Sequence, residues 1–267
     1  MKKENFLILG TDVKMNACQR VLEQQGYYAE CKDEKEFQDS FEDYDCIILP
    51  CPTISHSFIT DTTMSFERIL ELISDNQTLF YANADNVNFA KNAYSYYYNE
   101  NFLEENSLLT AQGVLRLILE NISVDLRFLD IAILGFGRCG KSITKLLSHL
   151  DGNISVFSRK NFSDDSQRGN KIKFISIYEC EKLLKEYDVI INTIPFNVIA
   201  EDTVKLFSNT IYIEVASAPY GFDIYNNDTS AFNFILASGL PGKYTPVSAG
   251  ENIANTVLEI LKEVKLG

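Results

Sequence analysis

The chain has 267 residues, of which 46% are hydrophobic and 23% charged, which fits one large or two ordinary globular domains and excludes a disordered or fibrous protein. Its 37 acidic residues against 24 basic ones leave a net charge of −13, which repels a phosphate backbone and argues against nucleic acid as a partner. No run reaches about 18 uninterrupted apolar residues, and the opening Met1-Lys2-Lys3-Glu4-Asn5 leads straight into a strand pattern, so neither a membrane span nor a cleavable signal is expected and the expected location is cytoplasmic.

Short apolar runs alternate with helical periodicity along the chain, which predicts parallel sheets with crossover helices. The first series has strands at Phe6–Leu9, Tyr27–Glu30, Cys46–Leu49 and Leu79–Ala82, with helices at 14–25, stopped by Gly26, and at 65–74. In Tyr94-Ser95-Tyr96-Tyr97-Tyr98 the rings are expected to pack rather than form a partner surface. A long helix over 104–121 follows, with Leu108, Leu109, Leu115, Ile118 and Leu119 as its buried stripe. The second series has six strands, at Ile131–Leu134, Ile154–Phe157, Ile172–Ile175, Val189–Asn192, Ile211–Val215 and Phe234–Leu236, the count of a complete doubly wound dinucleotide fold. A last helix covers 249–264. The predicted class is two-domain α/β: a smaller flavodoxin-like domain over 1–103, an interdomain helix over 104–124 and a Rossmann doubly wound parallel sheet over 125–248, with the last helix returning to the first domain.

Six cysteines are scattered without a Cys-x-x-Cys pair, and the only histidines are His56 and His149. A zinc site needs three or four clustered nitrogen or sulfur ligands, so no metal is expected. Free thiols, with Cys46 and Cys51 on or beside a buried strand, are the expectation.

Gly135-Phe136-Gly137-Arg138-Cys139-Gly140 follows a strand and opens a helix. In that context Gly135 permits the tight turn, Gly137 lets the backbone approach a pyrophosphate, and Gly140 lets helix and strand pack closely. Amides of the helix start face the anion. About 20 residues on, the next strand ends in Ser158-Arg159-Lys160, where an NAD site usually places a carboxylate. A hydroxyl beside a guanidinium suits a 2′-phosphate, so the reading favours NADP, with NAD left open and a solvated basic pair as the alternative. Thr193-Ile194-Pro195 closes the fourth strand at its carboxyl end and is expected on the nicotinamide side.

A proton-handling group is harder to find. Dehydrogenases of the D-2-hydroxy acid type place a histidine late in the nucleotide domain, and residues 237–250 contain none. His149 reads as a helix-terminus residue, and His56 is a weak candidate in a loop after the third strand. In an acidic chain the cations at strand ends carry weight. Lys14, after Gly10-Thr11-Asp12, and Lys243, in a loop at Gly239-Leu240-Pro241-Gly242-Lys243, are candidates for holding a small dianion. The alternative for Lys14 is a solvated first-turn lysine.

At these residues the sequence resembles the A subunits of bacterial dipicolinate synthases. The resemblance rests on the glycine loop 135–140, on Gly239–Lys243 followed by Pro246 and Ala249-Gly250-Glu251, on Thr110-Ala111-Gln112-Gly113 and on Ser217-Ala218-Pro219-Tyr220-Gly221. Two positions depart from the family's pattern: Lys14 stands where an arginine is usual, replacing a bidentate clamp with a point charge, and Gln112 where an acidic residue is usual. The resemblance implies NADP-linked oxidation of a dihydrodipicolinate, derived from 4-hydroxy-tetrahydrodipicolinate, to pyridine-2,6-dicarboxylate during sporulation, in the mother cell. It implies Lys14, Lys243, Thr110 and Ser217 as candidates at the small dicarboxylate substrate, and, as partner, the flavoprotein-like B subunit. A homo-oligomer is left open. Two other readings stand beside it: another NAD(P)-dependent dehydrogenase of this architecture, and a non-catalytic nucleotide-binding subunit.

Overall fold

The apolar runs become parallel strands, most of them buried on both faces. The computed structural model describes residues 3–33, 41–55, 58–59, 66–83, 92–160 and 172–266. In chain order the elements are β1 (Asn5–Leu9), α1 (Val13–Gln24), β2 (Tyr28–Lys32), β3 (Cys46–Ile48), the two-residue strands β4 (Ile54–Ser55) and β5 (Phe58–Ile59), α2 (Phe66–Leu72), β6 (Thr78–Tyr81), β7 (Ala93–Ser95) and α3 (Glu100–Asn121). Then come β8 (Asp130–Leu134), α4 (Arg138–Ser148), β9 (Asn153–Ser158), β10 (Ile172–Ser176), α5 (Cys180–Leu183), β11 (Val189–Asn192), α6 (Glu201–Val204), β12 (Ile211–Glu214), β13 (Asn233–Leu236), α7 (Leu240–Tyr244) and α8 (Pro246–Leu266). The chain divides into two compact units, one running to Asn106 and resuming at Thr245, the other spanning Ser107–Tyr244.

In the first unit the sheet runs β2-β1-β3-β6-β7 with every pair parallel. Counted in chain order, its five strands follow the 2-1-3-4-5 order of flavodoxin-like sheets. Strand alternation sends Phe6 and Ile8 to one face, where they join Met15 and Leu22 of α1 and Ile253, Val257 and Leu261 of α8. Leu7 and Leu9 face the other side, with Ile47, Leu49 and Ile69. Each such fully buried aliphatic contributes about 1.5–3 kcal/mol of transfer free energy. α8 lies close on α1 because Gly250 has no side chain: a Cβ there would stand 1.9 Å from the Lys14 carbonyl oxygen.

β7 escapes the sequence pattern, because three residues of mixed polarity carry no alternation to detect. Of the tyrosines in and beside it, Tyr94, Tyr96 and Tyr97 pack as expected, whereas Tyr98 is exposed. Tyr96 is fully buried, with its hydroxyl donating to the Leu49 carbonyl at 2.8 Å, and Tyr97 meets Phe102.

The second unit's sheet runs β10-β9-β8-β11-β12-β13, all parallel, the 3-2-1-4-5-6 order of a complete doubly wound dinucleotide fold. Ile131 and Ile133 of β8 pack with Val114 and Ile118 of α3 and Ile143 and Leu147 of α4. Ala132 and Leu134 face an aromatic cluster of Phe207, Tyr212, Phe222 and Phe232. The buried face of α3 overlaps the expected stripe only in part: Leu109 and Ile118 are covered as expected and Leu115 is partly buried, Leu108 and Leu119 are exposed, and Ala111, Val114 and Leu117 are covered in addition. A helix with leucines on several faces leaves the choice of buried face to its neighbours. Among the described residues no helix is long and apolar enough to cross a membrane, and no three His, Cys, Asp or Glu side chains are gathered to hold a metal ion. His56 lies outside the described residues.

Candidate functional site

Doubly wound sheets place ligands at the carboxyl ends of their strands, where the strand order reverses. In the second unit that point lies between β8 and β11, and the glycine loop occupies it. Gly135 adopts φ +96, open to glycine at little cost, and a Cβ there would collide with the Thr193 hydroxyl at 2.6 Å. A Cβ on Gly140 would stand 2.2 Å from the Gly135 carbonyl oxygen, so this glycine seats α4 against the loop. At Gly137 a Cβ would meet nothing within 4 Å. That is the open cradle a pyrophosphate approached by backbone requires.

The amino terminus of α4 matches the cradle. Gly137 is its N-cap, no side chain caps it, and no acidic residue stands in the first turn. An anion therefore meets the positive helix end with no first-turn carboxylate to compete with it. Helix α1 of the first unit contrasts with it, because the Asp12 carboxylate accepts from the Met15 amide at 2.7 Å and fills the corresponding place. Arg138 is exposed in the first turn of α4. Phe136 stacks edge-on against Phe174 at 5.1 Å, and burial pushes the Cys139 thiol above its usual range.

Past β9, Arg159 and Lys160 are exposed, and β9 with its end, from Asn153 to Lys160, carries no carboxylate. Ser158 is buried and its hydroxyl forms the turn itself, donating to the Lys160 carbonyl at 2.7 Å and accepting from the Lys160 amide at 3.1 Å. Thr193 donates its hydroxyl to the Leu134 carbonyl at 2.7 Å, which ties the loop after β11 to the strand before the glycines. Ile194 lies against Gly135, and Pro195 is exposed.

Beside Thr193 sits an arrangement that sequence reasoning missed. Asn192 and Glu214 are fully buried neighbours at the carboxyl ends of β11 and β12, joined through the Asn192 amide nitrogen and Glu214 Oε1 at 2.8 Å. Glu214 also accepts from the amides of Ala216 and Gly221 and from the Tyr212 hydroxyl. Burial pushes its carboxyl above the ordinary carboxylate range, against the donors that hold the ionised form. The available signal was an apolar strand that ends in a polar residue, Val-Ile-Ile-Asn and Ile-Tyr-Ile-Glu. Gly221 fits beneath because a Cβ would stand 2.3 Å from the Tyr212 hydroxyl.

The substrate-side candidates are placed as follows. Lys14 is buried, which rules out the solvated-lysine reading. Its ammonium donates to the Cys51 carbonyl at 2.8 Å and lies 3.8 Å from Asp12. The loop it holds is braced by Thr53, whose hydroxyl donates to the Pro50 carbonyl and accepts from the Ala82 amide, at the carboxyl ends of β3 and β6. Thr110 is buried in α3, and Ser217 is exposed in the loop after β12. Lys243 lies in the short helix α7 rather than in a loop, because Gly239 at φ +64 turns the chain and Leu240 packs against Gly113. It is exposed, with its ammonium 5.0 Å from the Tyr244 ring centroid. His149 closes α4, its ring nitrogen 2.6 Å from the Lys145 carbonyl.

Residues 105–213 match the family described as D-isomer specific 2-hydroxyacid dehydrogenase, NAD binding domain. Together with the strand order and the open glycine cradle, this makes the chain an NAD(P)-dependent oxidoreductase of two-domain α/β architecture. Its particular likeness is to the A subunit of dipicolinate synthase. The chain is 25% identical over 241 residues to that protein from Bacillus subtilis (strain 168), covering 84% of this chain and 80% of the relative. Among solved structures, the A subunit of the Bacillus halodurans dipicolinate synthase superposes with a TM-score of 0.81 at 21% identity over 97% of each chain. Its Bacillus subtilis counterpart gives 0.80 at 20% identity, over 100% of this chain and 98% of that one. These superpositions bear out the fold, and the sequence match supports the resemblance read from the motifs.

Proposed function

We propose that this chain is the dehydrogenase subunit of a dipicolinate synthase, catalysing NADP-linked oxidation of a dihydrodipicolinate, derived from 4-hydroxy-tetrahydrodipicolinate, to pyridine-2,6-dicarboxylate. The observation that carries the reading is the likeness to the A subunit of that enzyme over 84% of the chain. In the reaction a ring carbon gives a hydride and the ring loses a proton, leaving an aromatic pyridine and NADPH. When bound, the nicotinamide supplies the hydride acceptor, and aromatisation supplies driving force. What remains for the protein is to hold the dinucleotide, orient the ring and neutralise two carboxylates.

The dinucleotide is assigned to residues 135–140, with Thr193, Ile194 and Pro195 on the nicotinamide side. Its 2′-phosphate is assigned to the Ser158–Lys160 corner, where Arg159 and Lys160 supply the charge and Ser158 shapes the turn. Support for NADP over NAD comes from two exposed cations where an NAD site carries a carboxylate. Lys14, Lys243, Thr110 and Ser217 are assigned to the substrate carboxylates. A flavoprotein-like second subunit completes the enzyme, in the cytoplasm of a sporulating cell. The test is to incubate the purified chain, with and without that partner, with NADP and freshly made 4-hydroxy-tetrahydrodipicolinate. Formation of the pyridine product together with NADPH is expected, and no product under either condition refutes the reading.

A further inference from the structure

We propose that Asn192 and Glu214 form a positioning pair that sets the nicotinamide-side wall of the dinucleotide site. The pair joins no known motif of the chain, and neither side chain reaches the surface. The inference rests on the dinucleotide reading of this unit and on neither the substrate nor the 2′-phosphate assignment.

The hydrogen bonds of the pair are directed at loops. Glu214 Oε1 accepts from the Asn192 amide at 2.8 Å and from the Ala216 backbone at 3.1 Å, while Oε2 accepts from the Gly221 backbone at 2.9 Å and the Tyr212 hydroxyl at 3.3 Å. Two donors on each oxygen fill the carboxylate's acceptor sites. Asn192 meanwhile brackets Ile194, donating to its carbonyl at 2.9 Å and accepting from its amide at 3.1 Å. Hence the loop after β11 and the loop after β12 hang from one side-chain clasp.

Further bonds stitch the same loops together. The amides of Val198 and Ile199 both donate to the Gly221 carbonyl. The Asn197 side-chain amide faces the carbonyls of Pro219 and Tyr220 at 3.0 and 3.1 Å, and the orientation that satisfies both is the one with its nitrogen toward them. Through Thr193, which donates to Leu134, the wall is fixed to the strand that ends at the glycine loop.

A purely structural role explains this poorly. β11 and β12 are already paired by their backbone ladder, and apolar side chains would fill the space without the desolvation cost of a buried carboxylate. The cost is met at loop positions, at the end of the sheet where a doubly wound fold places its ligand. The adenosine half lies on the other side of the glycine loop, toward β9, which the clasp does not touch. The pair therefore acts on one half of the dinucleotide.

The experiment compares whole nucleotides with fragments that lack nicotinamide. Dissociation constants for NADPH, NADH, 2′-phospho-ADP-ribose and ADP-ribose are measured by calorimetry on the wild type and on Glu214→Gln, which places an amide donor against groups that are themselves donors. The expected result is at least a tenfold loss for NADPH and NADH, with the fragments within twofold of wild type. Unchanged fragment binding also certifies that the variant is folded. Should Glu214→Gln not fold, Tyr212→Phe removes one donor and keeps its ring packing, and a threefold or greater loss confined to the whole nucleotides is expected. Equal losses for nucleotide and fragment, or none, in the folded variant overturn the positioning role while leaving the dinucleotide reading intact. A wild type that binds none of the four ligands overturns both.

Discussion

Two glycines in one loop make opposite predictions, which separates their roles. A Cβ at Gly140 would lie 2.2 Å from the Gly135 carbonyl oxygen and 3.0 Å from its carbon. Backbone on both sides cannot swing away like a side chain, so Gly140→Ala must push α4 off the loop. Overpacking of this kind costs about 1–3 kcal/mol. At about 2–4 °C per kcal/mol for a unit of this size, the melting temperature of the ligand-free protein falls by roughly 2–12 °C. Gly137 has φ −78, within reach of any residue, and open space where a Cβ would go. Gly137→Ala should leave the ligand-free melting temperature unchanged or raise it, by up to about 0.4–1 kcal/mol through the unfolded chain. Its methyl group, however, enters the space read as the pyrophosphate cradle, and nucleotide affinity should fall at least about tenfold, or 1.4 kcal/mol. Differential scanning fluorimetry with and without NADPH reads both effects. At about a hundredfold excess over its dissociation constant the ligand stabilises the wild type by about 2.7 kcal/mol, and a tenfold weaker site at the same concentration keeps only about 1.4 kcal/mol, so Gly137→Ala should lose about half of that gain or more. A Gly137→Ala protein that melts low when free, or keeps the full ligand shift, would refute the argument.

Three further expectations follow from other parts of the molecule. Arg159→Asp should weaken NADP binding by about 1.5–3 kcal/mol, the range of a charge-assisted contact, while sparing NAD; equal loss for both cofactors in a titration would contradict the 2′-phosphate assignment. Gly250→Ala brings a methyl to 1.9 Å from the Lys14 carbonyl oxygen and should destabilise the protein by about 3 kcal/mol or more, read as a lower urea midpoint; an unchanged midpoint would show that α1 and α8 tolerate separation. Burial pushes the Cys46 thiol up to about 12, whereas an unfolded thiol titrates near about 8.5. Its contribution to stability is fully present below that value and is lost as pH rises through the window from about 9 to 12, because the unfolded chain releases a proton the folded chain keeps. The urea midpoint should therefore fall less between pH 8 and pH 10 in Cys46→Ala than in the wild type, and equal slopes would count against this account.

Much of the second unit is legible in its sequence. The four inner strands, buried on both faces, must be continuous apolar runs, and the two half-exposed edge strands Ile172–Ser176 and Asn233–Leu236 still carry enough apolar residues to stand out, with the glycine loop between a strand and a helix to anchor them. The first unit is less legible where its strands are short: Ala93–Ser95 carries no period. The candidate site is read through its local signals, glycines and cations at strand ends. Asn192 and Glu214 escape that reading because each is an ordinary polar residue until the parallel register of β11 and β12 sets them side by side.

Sequence by itself determined the two parallel sheets, the position of the nucleotide loop and the acidic balance of the chain, because these depend on composition, periodicity and residues close in the chain. Only tertiary structure decided which face of α3 is buried, that the Lys14 ammonium donates to the Cys51 carbonyl, that the Ser158 hydroxyl closes its own turn, and that a buried carboxylate ties two loops together. The hydrogen-bonded partners among these stand between 2 and 37 positions apart, whereas the face of α3 is chosen by neighbours as distant as Leu240, which packs against Gly113. Desolvation selects among those pairings only once the chain has closed around them.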